Sequence, residues 1–164
     1  MSHRSVVALL EDTAKSLGDN IQFGYGRRSD FNLITNKRYT FIWAAELNAS
    51  VSFAVNNTHN YQKRWNVTIY FSELDKPGSV ETEYVVILND LDILIDMFLN
   101  RLNDWSMKTT DTVGQITIQN INQRTNIKKD ADITTGWIIS FQLVTPDDFV
   151  YCTPDNIELY AGNN

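Results

Sequence analysis

Apolar residues recur along this chain with two different periods, and the switches between them mark its elements. Val6, Val7, Leu9, Leu10, Ala14 and Leu17 follow Ser5 and precede Gly18 at helical spacing, which predicts a helix over 5–17. From Gly18 to Lys37 no period holds. Gly24, Gly26, Arg27, Arg28, Ser29 and Asp30 are interspersed with Ile21, Phe23, Tyr25, Phe31, Leu33 and Ile34, which predicts a long, irregular and unusually aromatic linker. Loops beyond about 15 residues are uncommon in compact domains unless they are functional or ordered by a partner. Alternation then takes over. Tyr39, Phe41 and Trp43 share one face, and after a break near Ala45 so do Leu47, Ala49, Val51, Phe53 and Val55, opposite Asn48, Ser50, Ser52 and Asn56. These predict two strands, and a polar turn over 56–63 leads to a third in which Trp65, Val67, Ile69 and Phe71 alternate with Asn66, Thr68, Tyr70 and Ser72. Asp75, Lys76, Pro77, Gly78 and Ser79 punctuate the chain before Tyr84, Ile87, Leu88, Leu91, Leu94, Ile95, Phe98, Leu99 and Leu102 set out an amphipathic helix of about 20 residues. Its other face carries Glu83, Asp90, Asp92 and Asp96, with Arg101 near the end. Residues 115–121 and 136–145 predict a second strand pair, with Trp137, Ile139, Phe141 and Leu143 on one face, and the tail from Pro146 keeps enough apolar residues to dock.

This order predicts an α+β fold: an antiparallel sheet packed on one long amphipathic helix, with an N-terminal helix and a long irregular linker. The whole of 1–164 reads as a single domain, 1–38 being the N-terminal helix and linker and 39–164 the α+β body. The expected core sets Leu88, Leu91, Ile95 and Phe98 against Val67, Ile69, Ile139 and Phe141.

Composition narrows the possibilities. With 164 residues and 43% hydrophobic content the chain is long enough to bury a core without disulfides or a metal. A lone cysteine, Cys152, excludes an internal disulfide framework and any cysteine-based zinc site. No run of 18 apolar residues occurs, and Met1 to Arg4 lack the layout of a secretory signal, so a soluble, unexported protein without a membrane partner is expected. A net charge of −6 argues against general affinity for nucleic acid or anionic membrane. That charge is unevenly placed: residues 1–38 carry six basic and four acidic side chains, the remainder eight and sixteen. A basic N-terminal segment and an acidic body would suit complementary halves of a subunit contact, and would equally suit ordinary solvated surface.

Candidate chemistry is sparse. The two histidines, His3 in a terminal segment and His59 in a turn, are not placed for a nucleophilic triad, and with one cysteine they offer no metal-ligand spacing. Cys152 reads as a small core residue. The carboxylate pairs Asp92/Asp96, Asp130/Asp132 and Asp147/Asp148 match the residue type that paired acid and base catalysis needs, but exposed aspartates are the default. Gly24-Tyr25-Gly26-Arg27-Arg28 lacks the pattern of a phosphate-binding loop. Arginines among Phe23, Tyr25 and Phe31 are instead the residues enriched at interface cores. The sequence therefore assigns no catalytic residue, cofactor or metal. It nominates Phe23, Tyr25, Arg27, Arg28 and Phe31 as an assembly segment, with Asp90, Asp92 and Asp96, which lack basic partners one turn away, as the counterpart on a neighbouring copy. Three glycosylation-type triplets, at Asn48, Asn56 and Asn66, are expected by chance among 17 asparagines.

This layout resembles that of the tail-terminator, tail-completion and head-tail connector proteins of tailed bacteriophages. The segment Gly136-Trp137-Ile138-Ile139-Ser140-Phe141-Gln142-Leu143, followed by Phe149-Val150-Tyr151-Cys152, looks like the closing strand of small virion proteins, including neck ring proteins of crAss-like phages. The resemblance is one of element order and texture over most of the chain, and the linker here is longer than tail terminators usually have. It implies a non-enzymatic structural protein, assembled in a bacterial cytoplasm into a homo-oligomeric ring at the neck or tail of a virion. Its partners would be portal, connector or tail proteins, with DNA passing through the lumen without specific binding and no cofactor. The rival expectation is a non-viral binding module for sugar or peptide, using Trp43, Trp65, Trp105 or Trp137.

Overall fold

The computed structural model describes residues 2–27, 30, 40–53, 61–74, 81–108, 117–128 and 134–146. Their elements run α1 (His3–Lys15), β1 (Ile21–Gly26), β2 (Thr40–Ala45), β3 (Asn48–Phe53), β4 (Tyr61–Leu74), α2 (Glu81–Lys108), β5 (Thr117–Lys128) and β6 (Thr134–Pro146). The described residues make a mixed α+β structure in which one six-stranded, mostly antiparallel sheet packs with two helices.

α1 begins two residues earlier than the apolar spacing predicts, because Ser2 caps it: its Oγ accepts the Ser5 amide hydrogen at 3.2 Å. Val6, Leu9, Leu10, Thr13 and Ala14 recur at three and four residues and form its buried stripe. α2 is longer than expected, 28 residues or about 42 Å, and buries Leu91, Ile95, Phe98 and Leu102.

The sheet is ordered β1-β2-β4-β6-β5, with β3 lying beside the first half of β4 while β2 occupies its second half. β4 and β6 pair without a break from Gln62↔Pro146 to Leu74↔Thr134 and form the centre. Their inward residues Trp65, Val67, Ile69, Phe71, Ile139, Phe141 and Leu143 make one cluster with the buried stripes of both helices. Leu91, Ile95 and Phe98 therefore meet the strand residues expected of them. Leu88 stands outside this cluster of buried residues, its carbonyl accepting the Trp137 indole hydrogen bond at 2.8 Å.

One expectation is corrected. The irregular linker contains a strand: Ile21–Gly26 pairs in parallel with Thr40–Ala45, so the sheet is not wholly antiparallel. Ile21, Phe23 and Tyr25 pack on the helix-side core, whereas Gly24 and Gly26 give the other face no side chains. A Cβ on Gly24 would come 2.5 Å from Trp43 Cε3, so the glycine makes room for the indole. The remainder of that linker, 31–39, lies outside the described residues.

β2 forms as predicted. Phe41 and Trp43 share a face, which is the one away from the helices, where they pack with Tyr70, while Ile42 and Ala44 enter the main core. The sheet here is buried on both sides, so alternation alone could not show which face meets the helices. β3 also forms as predicted, with Ala49 exposed and Val51 57% exposed. α1 packs mainly on β1 and β2, and α2 on β4, β5, β6 and α1, which leaves β3 beyond the helical layer.

Candidate assembly surface

α2 carries apolar residues on two opposite sides, those of the outer side standing among the exposed Asn89 and Asn100. Opposite the buried stripe, Val86, Ile93 and Met97 follow one another at seven and four residues, so they line one side of the helix. They are 58%, 60% and 48% exposed. A soluble helix normally turns charged or polar residues outward, and one apolar all round is ordinarily buried all round. The carboxylates expected on this helix, Asp90, Asp92 and Asp96, are all exposed. At 100° per residue Asp90 falls on one flank of the outer stripe and Asp96 on the other. An apolar centre with a charged rim is the anatomy of a protein–protein interface.

The rim residues are held differently. Asp92 turns toward β5 and accepts a hydrogen bond from Gln123 Nε2 at 2.6 Å. Asp90 lies near Glu73 at the end of β4, and burial first and the Asp90 charge second push the Glu73 carboxyl above its ordinary 4.5. Folding thus raises this pKa, so ionised Glu73 is a cost that grows as pH rises above 4.5 and vanishes below it. Glu73→Gln is accordingly expected to raise the melting temperature at pH 7, with the gain shrinking towards pH 4. Thermal melts across that range check it, and an equal gain at both ends would contradict the assignment.

The predicted assembly segment is anchored at its start. Phe23 and Tyr25 are half-buried against their own core, and Tyr25 Oη meets His3 Nε2 at 2.8 Å and accepts the Leu47 amide hydrogen at 3.4 Å. The Arg27 amide donates to Asp30 Oδ2 at 3.0 Å, and its exposed guanidinium lies 3.9 Å from Glu46 Oε2. Exposed pairs of this kind contribute about 0–1 kcal/mol, so Arg27 is only loosely held. Arg28 and Phe31 lie outside the described residues. Within the chain, then, the structure does not bring Arg27 to the α2 carboxylates; they are separate exposed features.

The sequence reading missed Val86, Ile93 and Met97, which sit among Asp90, Asp92 and Asp96 and were absorbed into a face read as acidic. A second apolar row at spacings of seven and four was the available signal. On the sheet's far face an amide row links three strands: Asn120 donates to Gln142 at 3.0 Å and Gln142 to Asn66 at 3.2 Å. Asn120 sits at the bulge between Gln119 and Asn122 with φ of 56°, a conformation asparagine tolerates, and the bulge leaves the next residue, Ile121, exposed.

Among the described residues, no three of His, Cys, Asp and Glu are grouped to hold a metal ion, and no helix is long and apolar enough to cross a membrane. His59, Cys152 and the Asp130/Asp132 and Asp147/Asp148 pairs lie outside the described residues. No protein-family model and no curated protein matches the chain.

Proposed function

We propose that the protein is a structural, self-assembling subunit, and that its assembly is a ring in the neck or tail of a tailed bacteriophage, joining head or portal to tail. The observation that carries the self-assembly is the exposed row Val86, Ile93 and Met97 on the solvent side of a helix whose other side is already core. The ring and the virion rest on the likeness of element order to tail-terminator and connector proteins. An acidic body suits a lumen through which DNA slides without adhering. In this reading the segment around Phe23, Tyr25, Arg27, Arg28 and Phe31 approaches the Asp90, Asp92 and Asp96 side of a neighbour, where desolvated arginine–carboxylate pairs count for more than surface ones.

A sugar- or peptide-binding module is less well supported. Trp43 and Trp65 are buried and Trp137 is half-buried with its indole nitrogen bonded to Leu88, so none of the three presents an open stacking platform; the Trp105 side chain lies outside those described.

Ile93→Asp places a charge in the centre of the outer stripe without touching the core, and surface changes of this kind usually shift stability by under about 0.5 kcal/mol. Electron microscopy of the purified wild type is expected to show annular particles, which the variant loses while keeping its melting temperature. Particles without a central opening would remove the ring, and annular particles in the variant would remove the helix from the contact.

A further inference from the structure

The outer stripe of α2 needs a receiving surface, and the chain carries one that matches it in polarity and charge. β3 alternates like a strand meant to be covered, yet Ala49 is exposed and Val51 is 57% exposed, on the side of the sheet where the helices lie. Register fixes that side. Ala49 pairs with Trp65 and Val51 with Lys63, and Trp65 is in the helix-side core. The flanks of this bare patch are basic. Lys63 is the direct cross-strand neighbour of Val51 on the same face, and Arg27 follows β1, whose last residue Gly26 pairs with Ala45, with its guanidinium near Glu46, where the chain turns into β3. The α2 stripe is apolar with Asp90 and Asp96 on its two flanks; the β3 patch is apolar with Lys63 and Arg27 at its margins, Glu46 offsetting Arg27 in part.

We infer that the Val86, Ile93 and Met97 face of α2 in one copy seats on the Ala49 and Val51 face of β3 in a second copy of this chain, with Asp90 and Asp96 approaching Lys63 and Arg27. This rests on the self-assembly proposed above and not on the ring or the virion. It also fixes which faces oppose each other. Both patches face the same side of the sheet, so they meet only when one copy is turned over relative to the other. The inferred arrangement is two-fold, so that each α2 covers the other copy's β3. Larger assemblies built from this contact contain an even number of chains.

Cysteine cross-linking of the full chain tests it. In a Cys152→Ser background, one preparation carries Val51→Cys and another Ile93→Cys; both sites are exposed, and circular dichroism checks that each folds. Mixed and mildly oxidised, they are expected to give mainly a disulfide between position 51 of one chain and 93 of the other, identified by peptide mass. A chain carrying both substitutions is expected to give a covalent pair and no longer species. A dominant 93–93 bond would overturn the inference in favour of helix-on-helix contact, and a ladder of covalent multimers would overturn the reciprocal arrangement. Absence of any cross-link in a preparation that still sediments as an oligomer would overturn the inference alone, whereas a preparation that sediments as a single chain would overturn the self-assembly as well.

Discussion

Replacing Phe98 with Ala is expected to lower the stability of the folded chain by about 3–5 kcal/mol. Phe98 is fully buried on α2, and its ring meets Phe71 of β4 edge-to-face, with centroids 5.5 Å apart and planes at 81°. Most of the loss is apolar surface returned to water plus the cavity left behind, and about 0.5–1.5 kcal/mol belongs to the ring pair itself. The pair joins the long helix to the central strand, so its removal loosens α2 as well as emptying a site. Denaturant unfolding followed by far-ultraviolet circular dichroism checks this, at a concentration low enough that assembly does not add to apparent stability. A loss under about 1 kcal/mol, small for a buried aromatic, would mean that the α2–β4 contact is not the core.

Gly136→Ala is expected to be almost as damaging although it adds one methyl group. A Cβ on Gly136 would fall on the Phe71 carbonyl oxygen and lie 2.9 Å from Ser72 Cα, and these are backbone atoms of the adjoining strand. No side chain can swing aside. Gly136 is also opposite Ser72 in the unbroken β4–β6 ladder, so relief requires the two central strands to part. Overpacking normally costs about 1–3 kcal/mol, and a clash with backbone belongs at the upper end. Thermal and urea unfolding of the variant measure the cost. A melting temperature within a degree of the wild type would show that the strands are not this close at Gly136.

The central elements were legible because their patterns were clean. Trp65 to Phe71 and, apart from Ile138, Trp137 to Leu143 alternate, and both prove to be central strands; the row from Leu91 to Leu102 holds the 3.6-residue period and proves to be the helix that covers them. β1 was hidden because Gly24 and Gly26 leave only Gln22 on one of its two faces, so that Ile21, Phe23 and Tyr25 read as scattered apolar residues and not as a strand. β3 was legible as a strand but not as an exposed one, since alternation says which residues share a face and not whether anything covers it. Phe41 and Trp43 carried the same ambiguity with the opposite outcome. For the candidate surface, the acidic residues of α2 were found and the apolar row between them was not.

Self-assembly through α2 requires the helix to have two working faces, one for its own core and one for another copy. Sedimentation velocity of the full-length wild type across a wide concentration range tests this most directly, with Ile93→Asp run beside it. The wild type is expected to sediment as a multiple of the 18.8 kDa chain and the variant as the single chain with an unchanged melting temperature. A wild type that remains at 18.8 kDa at every concentration would contradict it.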